Sequence, residues 1–374
     1  MLYNRKITKI NIDIQLFRKG MYIMENNITG RIKKIKKTKN NIFIIIESDR
    51  QMQIVVKPNN YSKVDNIKLG DIIECHVTED SNNCGKYKST IPTYLLIDIR
   101  VISARVKKFN KNYCFDRLKE YSDAKNRVRN FLNDKEYIEV HIPVLTNGET
   151  SSKAISFKTM HSKSGEKLFL RKTMDSFLRI LSCSDINKIF SFGPCFRNEH
   201  VTSLHMPEFE MLSIFTNYMS IDEGMQFSIQ ILKTILGKDL EVEFIDSKDY
   251  KKNTIDNKFY LITNLKNELD SYANINENGI TNEFKIKYNG TTLIHGVMEI
   301  QNIEEYKSKL QEQGKKDKYG ELQVLEDALS NGAPPCFNMG INIIRTLAFC
   351  NELKIKDYDA FAFSRFNFKN KKEE

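Results

Sequence analysis

The residues best suited to chemistry lie in one stretch, Phe196 to Phe209, with the sequence FRNEHVTSLHMPEF. Arg197 and Glu199 follow an apolar, alternating run, and a second such run begins after the intervening loop. This pattern predicts a β-hairpin with a wide, charged turn. A guanidinium can grip a phosphate with two hydrogen bonds, an aromatic ring can stack on a purine, and an imidazole can reach a second phosphate. Arg197, Phe209 and His205 therefore suit a nucleoside triphosphate, although a hairpin with surface charges would show the same pattern.

The same stretch resembles motif 2 of the class II aminoacyl-tRNA synthetases, whose pattern is FRxE, a loop, a His or Arg, and then a Phe. It is most similar to the group for lysine, aspartate and asparagine, and the lysyl form FRNE-loop-RHNPEFTMME aligns without a gap. The resemblance implies an ATP site in which Arg197 binds the α-phosphate and the substrate carboxylate. It also implies that Glu199 orients the adenine edge or the attacking group, that Phe209 stacks on adenine, and that His205 holds an outer phosphate.

Composition is typical of a soluble globular protein, with 374 residues, 40% hydrophobic and 28% charged. This length is more than one domain's worth of chain. No apolar run approaches 18 residues, so no membrane span is predicted, and the basic first residues lack the features of a signal peptide. The seven cysteines form no CxxC pair. Their scatter predicts free thiols, a cytoplasmic location and no zinc site.

The positive charge is concentrated in the N-terminal third. Residues 1–110 contain 21 Lys and Arg against 10 Asp and Glu, which leaves 37 against 38 in the remainder. A basic front module on a neutral body indicates a polyanionic partner for that module. A general lysine-rich bias that favours solubility is the alternative.

Residues 25–105 are predicted to form five short strands, after an N-terminal tail at 1–24. The longest connection lies between the third and fourth strands, which suits an OB-fold β-barrel. Such barrels bind single-stranded nucleic acid with basic grooves and stacking aromatics, and a lysine-rich run (31–39) lies on the first strand and its turn. In the resembled family this part of the chain is an anticodon-binding domain, which implies tRNA as a partner.

After a linker at 106–114, residues 115–374 are predicted to form an α+β catalytic domain. Residues 115–133 have the apolar spacing of an amphipathic helix. The helix leads to a short strand that ends at Pro143, an order that resembles motif 1 of the same synthetases. The resemblance implies an antiparallel sheet flanked by helices and a homodimer built through motif 1.

Four residues are predicted to bind the amino-acid substrate. Leu168 to Arg171 resembles a YLR strand of the family, which adds Arg171 to the site. Asp175 stands where lysyl enzymes have an acid for the substrate α-amino group, although an acid near a helix start is favourable without any ligand. Glu299 matches a carboxylate that lysyl enzymes direct at the substrate ammonium, and His295 replaces an asparagine on the same strand.

The C-terminal block resembles motif 3, and Arg345 matches the arginine that packs on adenine opposite the motif 2 phenylalanine. Several positions depart from the family. On a gapless match the two magnesium-binding glutamates become Lys285 and Thr292, and Glu283 would take that role if the alignment shifted. The other departures are Leu204 for a loop arginine, Ser213 for an ammonium-binding glutamate, Asn338 and Asn342 for motif 3 glycines, and Ile344 for an aspartate.

These residues predict an ATP-dependent, AMP-forming ligase that joins lysine or a related amino acid to tRNA. Magnesium is expected from the chemistry, but its ligands are not identified. Two alternatives remain. One is an eroded paralogue that binds tRNA or regulates without catalysis, and the other is an adenylating enzyme with an acceptor other than tRNA.

Overall fold

The structure, a computed structural model, divides into two compact units, Met1–Asn112 and Tyr113–Glu374. The predicted tail, the predicted linker and Leu204 lie outside the residues that it describes. Among the described residues no helix is both long and apolar enough to cross a membrane. The structure describes residues 25–79, 91–105, 115–148, 154–184, 186–202, 205–251, 255–265, 273–275, 280–312 and 321–358.

The first unit contains a closed barrel with the strand order β1-β2-β3-β5-β4. Apolar residues alternate along its strands, so that Ile42, Ile44 and Ile46 are buried in the barrel interior. A 3₁₀ helix, Pro58–Val64, lies in the long connection and buries Val64 against the same core. The predicted OB-type barrel is therefore confirmed. Its strands are β1 (Glu25–Lys37), β2 (Ile42–Glu47), β3 (Gln51–Val56), β4 (Ile72–Glu79) and β5 (Thr93–Ser103).

The described part of the second unit contains an eight-stranded sheet with the order β12-β13-β14-β15-β16-β11-β10-β6. The sheet was predicted to be antiparallel, but the pairs β6–β10 and β12–β13 at its two edges are parallel. The α+β fold class is confirmed. The sheet strands are β6 (Ile138–Glu139), β10 (Lys188–Phe196), β11 (Glu208–Asn217), β12 (Val242–Asp246), β13 (Phe259–Thr263), β14 (Glu283–Tyr288), β15 (Thr291–Met298) and β16 (Cys336–Ile341).

Six helices and a small three-stranded sheet, β7-β9-β8, complete the described part of this unit. Ser220 begins α3 with a capping box, because its hydroxyl accepts from Glu223 and the Glu223 carboxylate accepts from its backbone. The elements are α1 (Phe115–Asp134), β7 (Leu145–Thr146), β8 (Lys158–Met160), β9 (Lys167–Leu170), α2 (Asp175–Ser182), α3 (Ile221–Leu236), α4 (Ile303–Glu312), α5 (Glu321–Ser330), α6 (Ile343–Cys350) and a 3₁₀ turn at Ile355–Tyr358.

The two faces of the eight-stranded sheet have different surroundings. Along β11, Leu212 and Ile214 belong to the main core, which α1, α3 and α6 cover. Successive side chains of a strand point to opposite faces, so Met211 and Ser213 point to the other face. His295 of β15 is in register with Gly340 and Ser213 and points to this second face, here called the ligand face.

The glycine at 224 in α3 offers a test of this packing. A Cβ there would lie 2.5 Å from two carbons of the buried Phe337 ring, which stacks on Phe284 at a centroid distance of 6.0 Å. Alanine ordinarily stabilises a helix by about 1 kcal/mol relative to glycine. We expect Gly224→Ala instead to lower the free energy of unfolding, because overpacking costs about 1–3 kcal/mol. Chemical denaturation measures this change.

The exposed Gln226 on the same helix is the matched control. Gln226→Ala should change the free energy of unfolding by no more than about 0.5 kcal/mol. A Gly224→Ala protein more stable than the wild type would show that the helix does not pack against Phe337 in this way.

Candidate active site

The predicted hairpin is present, with β10 and β11 paired antiparallel and Phe196 opposite Glu208. Arg197 and Glu199 lie just beyond the end of β10. The backbone N–H of Arg197 donates to the Pro207 carbonyl at 2.8 Å, which fixes the start of the loop. At its far side the Thr202 hydroxyl and the His205 Nδ1 atom are 2.9 Å apart. The loop therefore holds the predicted phosphate-binding groups at one end of the ligand face.

Arg345 joins this group from α6. The side chain of Asn342 caps that helix by accepting from the Arg345 backbone at 2.8 Å, so the asparagine that replaces a motif 3 glycine has a structural role. Burial and the nearby Arg197 lower the pKa of the Arg345 guanidinium. Partial desolvation and the two arginines lower the pKa of His205, and Glu199 opposes this effect. Arg197, Glu199, His205 and Arg345 are thus brought together.

The two guanidinium groups carry unsatisfied hydrogen-bonding capacity. In the part of the chain that the structure describes, the Nε atoms of Arg197 and Arg345 are buried without a hydrogen-bond partner. Leaving a buried donor unpaired costs free energy that a ligand acceptor would restore. Two like charges close together also favour an anion between them. This end of the face, the candidate anion site, is therefore suited to a negatively charged ligand.

Phe209 lies on β11 beside the anion site. The Arg197 guanidinium carbon lies 5.2 Å from the centroid of the Phe209 ring, a cation–π distance. The ring position that was predicted to stack on adenine is covered by Arg197 in this structure. For adenine to lie between Phe209 and Arg345, the Arg197 side chain must move away from the ring toward the phosphates.

Two acids lie farther along the same face, beyond Phe209. Glu299 is 8% exposed, and the Asn338 amide donates to its Oε1 atom at 2.8 Å. The Ser213 hydroxyl donates to the Asp175 Oδ1 atom at 3.0 Å, and the Thr173 hydroxyl donates to Oδ2 at 2.6 Å. Two residues that depart from the family, Asn338 and Ser213, thus hydrogen-bond the two predicted substrate-binding acids.

Burial raises the pKa of Glu299 to about 7. The Arg179 guanidinium and the Asn338 hydrogen bond act in the opposite direction, and the negative charge of Asp175 raises the pKa further. The electrostatic effect of Asp175 on Glu299 indicates that the two carboxyl groups lie near each other. A cation bound there would favour the ionised form of both acids.

Arg179 is a site residue that sequence reasoning did not identify. It is 2% exposed, and its guanidinium donates to the carbonyls of Ile300 and Pro334 at 3.1 and 3.2 Å. These bonds hold the residues around Glu299 against α2. Its position four residues after Asp175, on the same helix face, was the available signal.

Arg171, which was predicted to contact the substrate, has structural contacts. It is 2% exposed, and it donates to the carbonyls of Pro194 and Pro143 at 2.8 and 3.1 Å, and to that of Ile142. The guanidinium therefore connects the segment that ends at Pro143 to β10. The contact with substrate stays a prediction.

The residues present do not fit the expected magnesium site. The two positions of the family's ligands carry an ammonium, Lys285, and a hydroxyl, Thr292. The Glu283 carboxylate accepts from the Thr281 hydroxyl at 2.6 Å and lies 2.6 Å from the Nε2 atom of His295. Among the described residues no group of three or more His, Cys, Asp or Glu side chains is placed to hold a metal ion.

Comparison with known proteins agrees with the resemblance that the sequence suggests. Residues 98–261 match the family described as tRNA synthetases class II (D, K and N). The chain is 25% identical over 208 residues to the lysine–tRNA ligase of Mycoplasmopsis synoviae, over 51% of this chain and 42% of the relative. It is 24% identical to lysine–tRNA ligase 2 of Methanosarcina mazei, over 59% of this chain and 57% of the relative.

A third relative, the lysine–tRNA ligase of Buchnera aphidicola subsp. Acyrthosiphon pisum, is 23% identical over 71% of this chain and 66% of its own length. The chain thus spans about half the length of the curated relatives that it matches. The part of the chain from residue 98 to residue 261 is therefore similar to the class II tRNA synthetases of the aspartate, lysine and asparagine group, and the α+β fold agrees with that similarity. Within that group, the relatives named here are lysine–tRNA ligases, at low identity, so the predicted resemblance is confirmed.

The raised pKa of Glu299 predicts a specific dependence of stability on pH. In the unfolded chain a glutamate titrates near 4.5, whereas Glu299 in the folded protein titrates at about 7. Between these values the folded protein retains a proton that the unfolded chain has released, so Glu299 lowers stability as the pH rises through this window. The uncharged Glu299→Gln protein should therefore be more stable than the wild type at pH 8, by up to about 3 kcal/mol.

Denaturant titrations of both proteins from pH 4 to pH 8 measure this difference, which should vanish near pH 4. The exposed Glu241 provides the control, because Glu241→Gln should leave the pH dependence of the wild type unchanged. If Glu299→Gln and the wild type have parallel stability curves, Glu299 is not buried as described.

Proposed function

We propose that the protein is an ATP-dependent, AMP-forming ligase that activates an amino acid, lysine or a related one, and transfers it to tRNA. The observation that carries this proposal is the approach of Arg197 and Arg345, whose buried Nε atoms lack partners in the described residues. A paired guanidinium site of this kind suits a polyphosphate. The acid pocket of Asp175 and Glu299 on the same sheet face suits the ammonium groups of the amino acid.

In the proposed reaction, a carboxylate oxygen of the amino acid attacks the α-phosphorus of ATP, and the bond to the bridging oxygen breaks as pyrophosphate leaves. Arg197 binds the α-phosphate and the attacking carboxylate, and Glu199 orients the adenine edge. His205 and Arg345 hold the outer phosphates, and Phe209 stacks on adenine. No protein nucleophile is needed, because the rate gain comes from positioning and from electrostatic stabilisation.

The amino-acid end of the site supports a cationic substrate. Asp175 and Glu299 offer two carboxyl groups, and Glu299 is held at a pKa of about 7. Ser213 and Asn338 occupy hydrogen-bonding positions on these acids, which makes the pocket smaller and less negative than a site with a third carboxylate. A basic amino acid, lysine or a shorter analogue, is the substrate class that fits.

The barrel supports tRNA as the acceptor. Its first strand and the following turn present a row of largely exposed basic side chains, and Lys33 pairs with Glu47 on the neighbouring strand. Basic surfaces on OB barrels follow a nucleic-acid backbone. We further propose a cytoplasmic homodimer built through motif 1, of which β6 lies at the edge of the sheet. The basic residues are Arg31, Lys33, Lys34, Lys36, Lys37 and Lys39.

A non-catalytic tRNA-binding or regulatory protein is the second candidate, and a specific observation favours it. Lys285 and Thr292 cannot replace two carboxylates around a divalent ion, and the described residues offer no other cluster. ATP binding measured by calorimetry with and without magnesium separates the candidates. An adenylating enzyme with another acceptor would form the same adenylate but would not aminoacylate tRNA.

Amino-acid-dependent exchange of pyrophosphate into ATP tests the activity directly. We expect exchange with lysine or a close analogue among a panel of all common amino acids. No exchange with any amino acid, in a preparation that still binds tRNA, would contradict the enzyme proposal and leave the regulatory candidate.

A substitution of Arg345 tests the nucleotide site. Arg345→Ala should weaken ATP binding at least tenfold, because a hydrogen bond to a charged group contributes about 1.5–3 kcal/mol. Calorimetric titration measures the affinity, and Arg117→Ala, which removes an arginine from the ion pair with Glu120 on α1, is the control that should leave it within twofold. Equal ATP affinity in wild type and Arg345→Ala would place the nucleotide elsewhere.

A further inference from the structure

A carboxylate–imidazole pair lies on the ligand face of the sheet. The Nε2 atom of His295 is 2.6 Å from the Oε2 atom of Glu283. The Glu283 side chain is fully buried, whereas that of His295 is 38% exposed. The Thr281 hydroxyl donates to the other oxygen of Glu283 at 2.6 Å. The carboxylate is therefore fixed from behind, and the imidazole presents its other edge to the ligand face.

This geometry sets the tautomer of the imidazole. A buried carboxylate accepts a hydrogen bond, so the proton of neutral His295 lies on Nε2 and the Nδ1 atom carries the lone pair. Within the described residues Nδ1 has no hydrogen-bond partner. A histidine oriented by a buried acid, with its second nitrogen available, is the arrangement of a general base.

The strand register places His295 between the two ends of the site. His295 lies opposite Gly340, which lies opposite Ser213. Ser213 is four residues along β11 from Phe209, at the anion site. In the other direction it is four residues from Asn217, which pairs with Cys336, and the Cys336 carbonyl accepts from the backbone of Glu299. His295 is therefore about 13 Å along the strands from the level of Phe209, and about 13 Å in the other direction from the level of Glu299.

The strand beside His295 carries no side chain at its partner position. That partner on β16 is Gly340, and the Met211 methyl carbon lies over it, 3.3 Å from where a Cβ would be. The charged groups next to the imidazole are Glu283 and Lys285, both on β14. Asp175, the acid predicted to bind the substrate α-amino group, accepts a hydrogen bond from Ser213 in this same row. The carbonyl carbon of an aminoacyl adenylate is two bonds from that amino nitrogen, so a substrate held by Asp175 would have its carbonyl carbon near this row.

We propose that His295 is the proton acceptor in the transfer step and that Glu283 is its positioning residue. The inference rests on the proposed function. A ribose hydroxyl oxygen of tRNA attacks the carbonyl carbon of the aminoacyl adenylate and forms the new ester bond. The bond from that carbon to the phosphate oxygen breaks, and its electron pair leaves with AMP. The hydroxyl proton passes to Nδ1 of His295, and Glu283 stabilises the resulting imidazolium.

The two half-reactions test this inference separately. Adenylate formation is measured by pyrophosphate exchange with the amino acid that the wild type activates. Transfer is measured in a single turnover from enzyme-bound adenylate to unfractionated bacterial tRNA. His295→Asn keeps a hydrogen-bonding side chain but cannot accept the proton. We expect it to slow transfer by about 10²–10⁴-fold, at least ten times more than it slows exchange.

Two further readouts distinguish a base from a structural residue. The wild-type transfer rate should rise with pH as the general base loses its proton, and the rate of His295→Asn should not rise in this way. Free imidazole should restore part of the transfer rate of His295→Ala, since the position is partly exposed. Glu283→Gln should slow transfer less than His295→Asn and should alter the pH profile.

The exposed His161 on the small sheet is the control, and His161→Asn should leave both half-reactions as in the wild type. Transfer and exchange slowed equally in His295→Asn, with no rescue of His295→Ala by imidazole, would overturn the inference. If His295→Asn fails to fold, the pH profile of Glu283→Gln decides, and a profile identical to that of the wild type would overturn it. Absence of exchange in the wild type would instead defeat the proposed function.

Discussion

The site depends on two positive charges that the fold holds close together. Arg345 is carried by α6, whose first turn is fixed by the Asn342 cap, and Arg197 is carried by the end of β10. Burial of Arg345 and repulsion from Arg197 both lower the pKa of Arg345, so the pair is costly without a ligand. An anion relieves both the repulsion and the unpaired Nε atoms. A polyphosphate bound at this end of the sheet would supply the hydrogen-bond acceptors and the negative charge that the two arginines need.

Farther along the same face the electrostatics are reversed, because two acidic side chains lie there. Glu299 is buried near Asp175, and its raised pKa of about 7 leaves it partly protonated near neutral pH. Arg179 and Asn338 oppose this rise in pKa. A cationic ligand group would stabilise the ionised form of these acids, as a phosphate would pair with the arginines. The charges on this face would thus suit a ligand with a phosphate near the arginines and an ammonium group near the acids. His295 and its carboxylate partner lie between the two.

Much of this organisation was predictable from sequence, because it follows local periodicity. Alternating residues identified the five barrel strands and the β10–β11 hairpin, and the apolar spacing of α1 gave a helix that ends at Asp134, one residue beyond the expected end. The contacts that set the chemistry were not predictable in this way. Glu283 and His295 are twelve positions apart and meet only through the pairing of β14 with β15. The burial of Arg171, and the hydrogen bonds of Ser213 and Asn338, likewise depend on tertiary packing.

A crystal structure of the protein with ATP would show directly whether Arg197 and Arg345 together bind a nucleotide. Phosphate oxygens should lie within hydrogen-bond distance of both arginines, with adenine on Phe209 and the Arg197 guanidinium displaced from that ring. The ligand face beyond the α-phosphate would then lead past His295 to Glu299. Nucleotide bound at another surface, or no nucleotide between the two arginines at saturating ATP, would contradict the account.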